Sequence, residues 1–227
     1  EYLAAFRNPH NSPNNICYLH NVYSKEMDKY FAFSKNIIAV NCIHTDIQDR
    51  ANGMDEDSDF MLVTNQSTMV KCAERCYRDF YTIVNALQES GITYNNTKKD
   101  YAAMDNKFSK SRMGIGYSSN LAQLAMTYYW TELQKDGPDE KKLKELYDNF
   151  IILSVLAQVI IDGCKREYEI DGNKEIDRIS KLPCMNIKRI VGYTESGKPK
   201  YKKYDFPEFM KYTREIKYTK DGKELPQ

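Results

Sequence analysis

A surplus of charge is the first thing this chain lacks: 33 lysines and arginines stand against 32 aspartates and glutamates, a formal net charge of +1. A uniformly basic coat for nucleic acid is thereby excluded. Long apolar runs are also missing. The longest, residues 150–161, is interrupted by Ser154 and Gln158 and is shorter than the roughly 20 residues a membrane-spanning helix needs. There is no Walker loop and no G-x-G-x-x-G run, which argues against phosphate held in a glycine cradle. No Ser, His and Asp set and no Cys and His pair has the sequence support of a nucleophilic centre, so hydrolase chemistry of that type is unsupported. His10, His20 and His44 have no metal-ligand spacing with the acidic residues, and there is neither an internal repeat nor a low-complexity tract.

Cysteine is present six times (Cys17, Cys42, Cys72, Cys76, Cys164 and Cys184), but a chain of 227 residues can bury a sizeable core without a disulfide framework. Reduced thiols are the expectation. Cys72 and Cys76 lie one helical turn apart without a second pair, His44 being the one close candidate, and read as core packing before zinc. With no signal peptide at its start and no membrane span, the chain is expected in the cytoplasm, bacterial or of an infected bacterial cell.

What the chain does have is an acidic run, Asp55-Glu56-Asp57-Ser58-Asp59, opening onto the apolar Phe60-Met61-Leu62-Val63-Thr64. Alternate residues of an extended strand share a face about 6.5 Å apart, so a tight turn there brings three carboxylates toward one point, where a cation offsets their repulsion. Hard oxygen donors suit Mg²⁺ or Ca²⁺. An EF-hand loop is excluded, because its sixth and twelfth positions would be Phe60 and Gln66 instead of Gly and Glu. Two readings remain: an acidic turn that holds Mg²⁺ against a triphosphate, or a solvated acidic loop entering a strand.

Four patches in order bear on that choice. They are Arg7-Asn8-Pro9-His10 with Asn14-Asn15-Ile16; the aspartate run; Met113-Gly114-Ile115-Gly116-Tyr117-Ser118-Ser119-Asn120-Leu121; and Leu156-Ala157-Gln158-Val159-Ile160-Ile161-Asp162-Gly163-Cys164-Lys165. Together they resemble the R-N-P…H-P-G-D-I, D-x-D-G-D, G-x-I-x-x-x-H/N-L and L-A-x-x-A-V-D-x-x-K-T-G segments of the two-barrel RNA polymerase superfamily. The closest likeness is to cellular RNA-dependent RNA polymerases and single-chain phage RNA polymerases, and the resemblance spans roughly residues 7–166. It departs where Ser58 replaces Gly, Asn14-Asn15 replaces Gly-Asp and Arg166-Glu167 replaces Thr-Gly.

The resemblance implies that Asp55, Asp57 and Asp59 bind catalytic Mg²⁺ (or Mn²⁺) for nucleotidyl transfer. It implies that Arg7 approaches the nucleotide, and that Asp162 and Lys165 lie toward the nucleic acid. Asp162 with Lys165 also reads as a local ion pair at a helix end. The implied partners are nucleoside triphosphates, nucleic acid and a second polymerase barrel, in the same longer chain or another subunit. The chain starts six residues before Arg7, so it is expected to be a piece of a polymerase that is inactive without that barrel. The alternative is a noncatalytic structural or interaction protein that keeps the fold.

The expected fold is α+β: a partial double-psi-like β-barrel segment carrying the aspartate loop (1–66), a larger helical region (67–187) and a basic Tyr/Lys-rich segment (188–227). Strands are expected at 16–19, 36–40 and 60–64. Helices are expected at 26–33 capped by Ser24, 68–87 capped by Ser67, 99–112, 120–135 capped by Ser118 or Ser119, from Asp139 to about 168, and 174–181. Gly114 and Gly116 are expected to break the helical stretch. Lys198, Lys200, Tyr201, Lys202, Lys203, Tyr204, Lys211 and Tyr212 suit either a solvated tail or a surface that tracks phosphates while rings stack on bases.

Overall fold

The sheet is built around a strand with almost no side-chain bulk at its centre. In the computed structural model, which describes residues 1–55, 59–163 and 166–212, β1 (Tyr2–Arg7) lies between β2 (Cys17–His20) and β3 (Met61–Thr64), antiparallel to both. Ala4 sits opposite Tyr18 and Thr64, and Ala5 opposite Cys17 and Val63. Neighbours on a strand face opposite ways. Ala4 therefore packs with Ile16, Ala73, Cys76 and Phe80 on one side, and Ala5 with Cys17, Ile47 and Ala51 on the other. Two methyl groups let helices approach both faces closely. Those helices are α2 (Ile47–Arg50) and α3 (Ser67–Asp79); α1 (Lys25–Tyr30) precedes them, with Ser24 accepting from the Met27 amide at 3.2 Å. The sheet is open, with β2 and β3 as its edges, and no barrel closes among the described residues. Residues 36–40 make no strand; Ile37 and Ile38 are half exposed, and Val40 is the one that packs, against the Ala5 side.

α3 stops at Asp79 instead of continuing to 87, because a buried arginine takes its final carbonyls. Arg50 is 2% exposed. Its Nη2 donates to Cys76 O (3.0 Å), Nη1 to Phe80 O (3.0 Å) and Thr82 Oγ1 (3.2 Å), and Nε to Ile16 O (2.7 Å). The guanidinium lies over the Tyr77 ring, 4.5 Å from its centroid. Thr82 passes the charge outward by donating to the Asp46 carboxylate. One side chain thus joins α2, the start of β2 and the end of α3. Burial lowers the Arg50 pKa, and Asp46 opposes that shift.

The helical part is a hairpin of α4 (Lys98–Leu133) and α5 (Glu140–Asp162), joined by a short turn and covered by α6 (Gly172–Ser180). Leu121, Leu124, Leu146, Phe150, Leu153, Ile176 and Ile179 form its core. Thr97, Asp139 and Asp171 cap the three helices. α4 runs straight through Gly114 and Gly116. At Gly114 a Cβ would meet Asn173 Oδ1 at 2.5 Å and Ile160 Cδ1 at 3.1 Å, so glycine there serves close helix packing and not interruption. Ser118 is no cap either; its hydroxyl donates to Leu153 O at 2.7 Å across the helix pair. α5 ends at Asp162 instead of 168. A 3-10 turn at Pro183–Met185 follows α6, and the antiparallel strands β4 (Lys188–Tyr193) and β5 (Pro199–Lys203) form a separate ribbon. The described cysteines are all free thiols, and burial pushes Cys17, Cys76 and Cys184 each up to about 11. No helix among the described residues is long and apolar enough to cross a membrane.

Two predictions follow from this packing. Arg50→Met strips the guanidinium from the buried carbonyls of Ile16 and Phe80, and from that of Cys76, which keeps the Phe80 amide; it should cost about 3 kcal/mol or more in urea denaturation, with Arg50→Lys recovering only part. A loss under about 1 kcal/mol would mean that those carbonyls have other donors. At the α4–α5 turn, Glu132 accepts from Lys135 Nζ (2.8 Å), Lys142 Nζ (2.7 Å) and the Asp139 amide (3.4 Å). Lys135 first, then Lys142, pull its carboxyl down to about 2 from an ordinary 4.5. Its folded pKa is depressed, so the stability it contributes is complete above 4.5 and is lost as pH falls toward 2. Glu132→Gln should flatten the chain's acid stability profile across that window, measured by thermal melting at stepped pH.

Candidate functional site

The aspartate turn is reached through two successive left-handed residues after α2, Asn52 at φ 61° and Gly53 at φ 72°. Glycine adopts that conformation freely and asparagine tolerates it, so the Asn-Gly pair reverses the chain here. The Met54 amide then closes back onto Gln48 O at 2.9 Å. Asn52 is 3% exposed; its Nδ2 donates to Pro9 O (3.1 Å) and its Oδ1 accepts from Gln158 Nε2 (2.7 Å).

Gln158 belongs to α5, and with Ser154 it is one of the two polar residues that interrupt the apolar run. Each spends its polarity on the N-terminal loops. Ser154 Oγ donates to Asn15 Oδ1 (3.2 Å), which also accepts from Ser12 Oγ (3.1 Å), while Asn15 Nδ2 donates to Arg50 O (3.3 Å). Asn14 Nδ2 donates to Tyr81 O at 2.7 Å. His10 meets Phe6 edge-on at 5.5 Å between centroids, and burial lowers its pKa. Residues 154, 158 and 162 are spaced four apart, so Asp162, at the end of α5 and partly buried, continues the stripe of Ser154 and Gln158.

Arg7 ends β1 opposite Met61. Its Nη1 donates to the carbonyls of Ala51 (3.3 Å) and Asn52 (3.0 Å), and its Nη2 to Asp59 Oδ1 (2.8 Å), with Nε 2.8 Å from Asp59 Oδ2. The two side chains are 14% and 19% exposed. Asp59 Oδ2 also accepts from the Asp55 amide at 3.0 Å, which ties Asp55 to Asp59. The cation that neutralises Asp59 is therefore Arg7, in a forked guanidinium–carboxylate contact. Asp55 is exposed and borders a cavity of about 530 Å³ that Asn36, Val40, Cys42, Met54 and Asp59 also line. Asp57 and Lys165 lie outside the described residues. Among those described, no group of three or more His, Cys, Asp or Glu side chains is placed to hold a metal ion. Cys72 and Cys76 accordingly gain no further ligand there.

Sequence reasoning singled out Arg7, Asp55, Asp59 and Asp162; the first three meet through hydrogen bonds and an ion pair, whereas Asp162 lies at the end of α5, one helical turn past Gln158. It missed Asn52, Gln158 and Arg50. The Asn52-Gly53 dipeptide is a turn signal that was there to be used. No family model, no curated protein and no solved structure matches this chain.

Substitutions at Asn52 separate the two demands on it. Asn52→Gly keeps the backbone freedom but leaves the Gln158 amide buried without its partner, an expected loss of about 1–3 kcal/mol in urea denaturation. Asn52→Ala should cost roughly 1 kcal/mol beyond that for the left-handed backbone. Equal stability of the two variants would refute the positive-φ requirement.

Proposed function

We propose that the chain carries the acid-turn half of a metal-dependent nucleotidyl-transfer centre, the RNA-polymerase-like function its motifs resemble. The observation that carries this reading is that an exposed Asp55 lines a cavity of about 530 Å³ together with Asp59, which stands just before the edge strand β3. In this reading β1–β3 are part of a double-psi β-barrel, and a second barrel, from a longer chain or another subunit, supplies the remaining nucleotide contacts.

Asp55 and Asp57 are the hard oxygen donors suited to Mg²⁺ or Mn²⁺, and Asp59 joins them only to the extent that Arg7 releases it. Bound there, the metal would favour ionisation of a 3′-hydroxyl and stabilise departing pyrophosphate. The chain's own residues do the positioning: Gln158 holds Asn52, just ahead of Asp55, against α5, Arg7 holds Asp59, and Asp162 stands one helical turn past Gln158. Nucleoside triphosphates and nucleic acid are the substrates of this reading. A second reading is favoured by a specific feature: both Asp59 oxygens are engaged by Arg7 and the Asp55 amide. That arrangement suits a noncatalytic protein that keeps the turn as structure.

Manganese titration followed by electron paramagnetic resonance distinguishes the two. The intact chain should bind Mn²⁺ weakly, with Kd on the order of 10⁻³ M. Asp55→Asn and Asp57→Asn should each weaken that binding at least tenfold. Binding that is unchanged in both variants would leave the noncatalytic reading.

A further inference from the structure

The charge that the whole chain lacks is concentrated in the β4–β5 ribbon. Residues 188–203 contain Lys188, Arg189, Lys198, Lys200, Lys202 and Lys203 against a single acid, Glu195. Two of these cations fasten the ribbon to the body. Arg189 Nη1 donates to Glu208 at 2.6 Å with its guanidinium 5.1 Å from the Tyr204 ring centroid, and Lys203 donates to Ser180 O. The other four, Lys188, Lys198, Lys200 and Lys202, are exposed and make no ion pair among the described residues.

Register places the apolar groups on one face. Ile190 pairs with Tyr201 and, past a bulge, Tyr193 pairs with Pro199. Because alternate residues share a face, Ile190, Tyr193, Pro199 and Tyr201 lie together, with Lys188 at one end and Lys198 beside the turn at the other. Tyr193 is 65% exposed and Tyr201 60% exposed. Lys200 and Lys202 belong to the reverse face of a ribbon only two strands wide, and stems of that length can bring an ammonium group to the edge. Exposed rings framed by unpaired lysines match one ligand class: a flexible polyanion with flat faces between its charges.

We infer that the β4–β5 ribbon is a binding surface for single-stranded nucleic acid, with Tyr201 and Tyr193 as stacking platforms and the four unpaired lysines as phosphate contacts. A duplex hides its base faces from such rings, and an anionic membrane offers charge without anything to stack. The inference does not depend on metal chemistry at the aspartate turn.

Fluorescence anisotropy of labelled single-stranded RNA and DNA oligomers, a duplex of the same sequence and anionic phosphatidylserine vesicles tests it on the full chain. Single strands should bind with a slope of log K against log salt of about −3, four contacts at roughly 0.7 each. Lys200→Gln with Lys202→Gln should flatten that slope by about 1.4. Tyr201→Leu should weaken binding roughly tenfold at unchanged slope, the effect of one lost stacked base. Binding should be the same with EDTA as with Mg²⁺ present, so a failed aspartate-turn reading leaves this result standing. All the ribbon substitutions are at exposed positions, and matched thermal melting curves establish that they fold. Four results would overturn the inference: no binding by the parent, an unchanged slope in the lysine variant, duplex binding as tight as single-strand binding, or capture of vesicles without oligonucleotide.

Discussion

A glutamine amide buried in an apolar helix has to find a partner, and the arrangement of this molecule's N-terminal third follows from where Gln158 finds it. The hydrogen bond to Asn52 at 2.7 Å draws the left-handed turn against α5. Asn52 in turn ties down Pro9 O, and the carbonyls of Ala51 and Asn52 hold Arg7. One helical turn earlier Ser154 does the same for Asn15, which also accepts from Ser12 and donates to Arg50 O. The helical hairpin and the open sheet are thus joined by paired polar groups as well as by the rings of Phe80 and Tyr81 against Trp130 and Tyr147. Leaving any of them unpaired costs more than an apolar contact of the same size gains.

The same logic recasts the acidic run. Three neighbouring carboxylates demand positive charge, and for Asp59 that charge is a guanidinium from the end of β1. Arg7 offers a planar fork, so it fixes direction as well as charge, which a spherical ion does less strictly. Asp55 is left exposed beside the cavity at the turn. Catalytic use of this turn requires metal chemistry to coexist with a standing Arg7–Asp59 pair. Structural use requires only that the pair persist.

Much of the local architecture was legible from local chemistry. Ser24 and Asp139 cap the helices that begin after them, and the strand after the aspartates is present. What was not legible depends on partners distant in sequence. Ala4 and Ala5 have little strand preference of their own, and β1 exists because α2 and α3 pack onto them from opposite sides. Gly114 looks like a helix breaker until Ile160 and Asn173 press against it. α3 ends early because Arg50, from a different element, accepts the task of satisfying its last carbonyls. The polar residues in the α5 run read as flaws in a core helix, yet they are the grips that place the candidate site. The Lys/Tyr-rich segment shows composition in its sequence; its division into fastening and unpaired cations needed the ribbon's register.

The account rests most heavily on Arg7 as the resident cation of the acid turn. A double-mutant cycle of Arg7→Met and Asp59→Asn, followed by urea denaturation in metal-free buffer, tests it directly. The account predicts a coupling energy above about 1.5 kcal/mol, with each single variant nearly as unstable as the double. Coupling within about 0.5 kcal/mol of zero would contradict it, because the two substitutions would then act on independent sites.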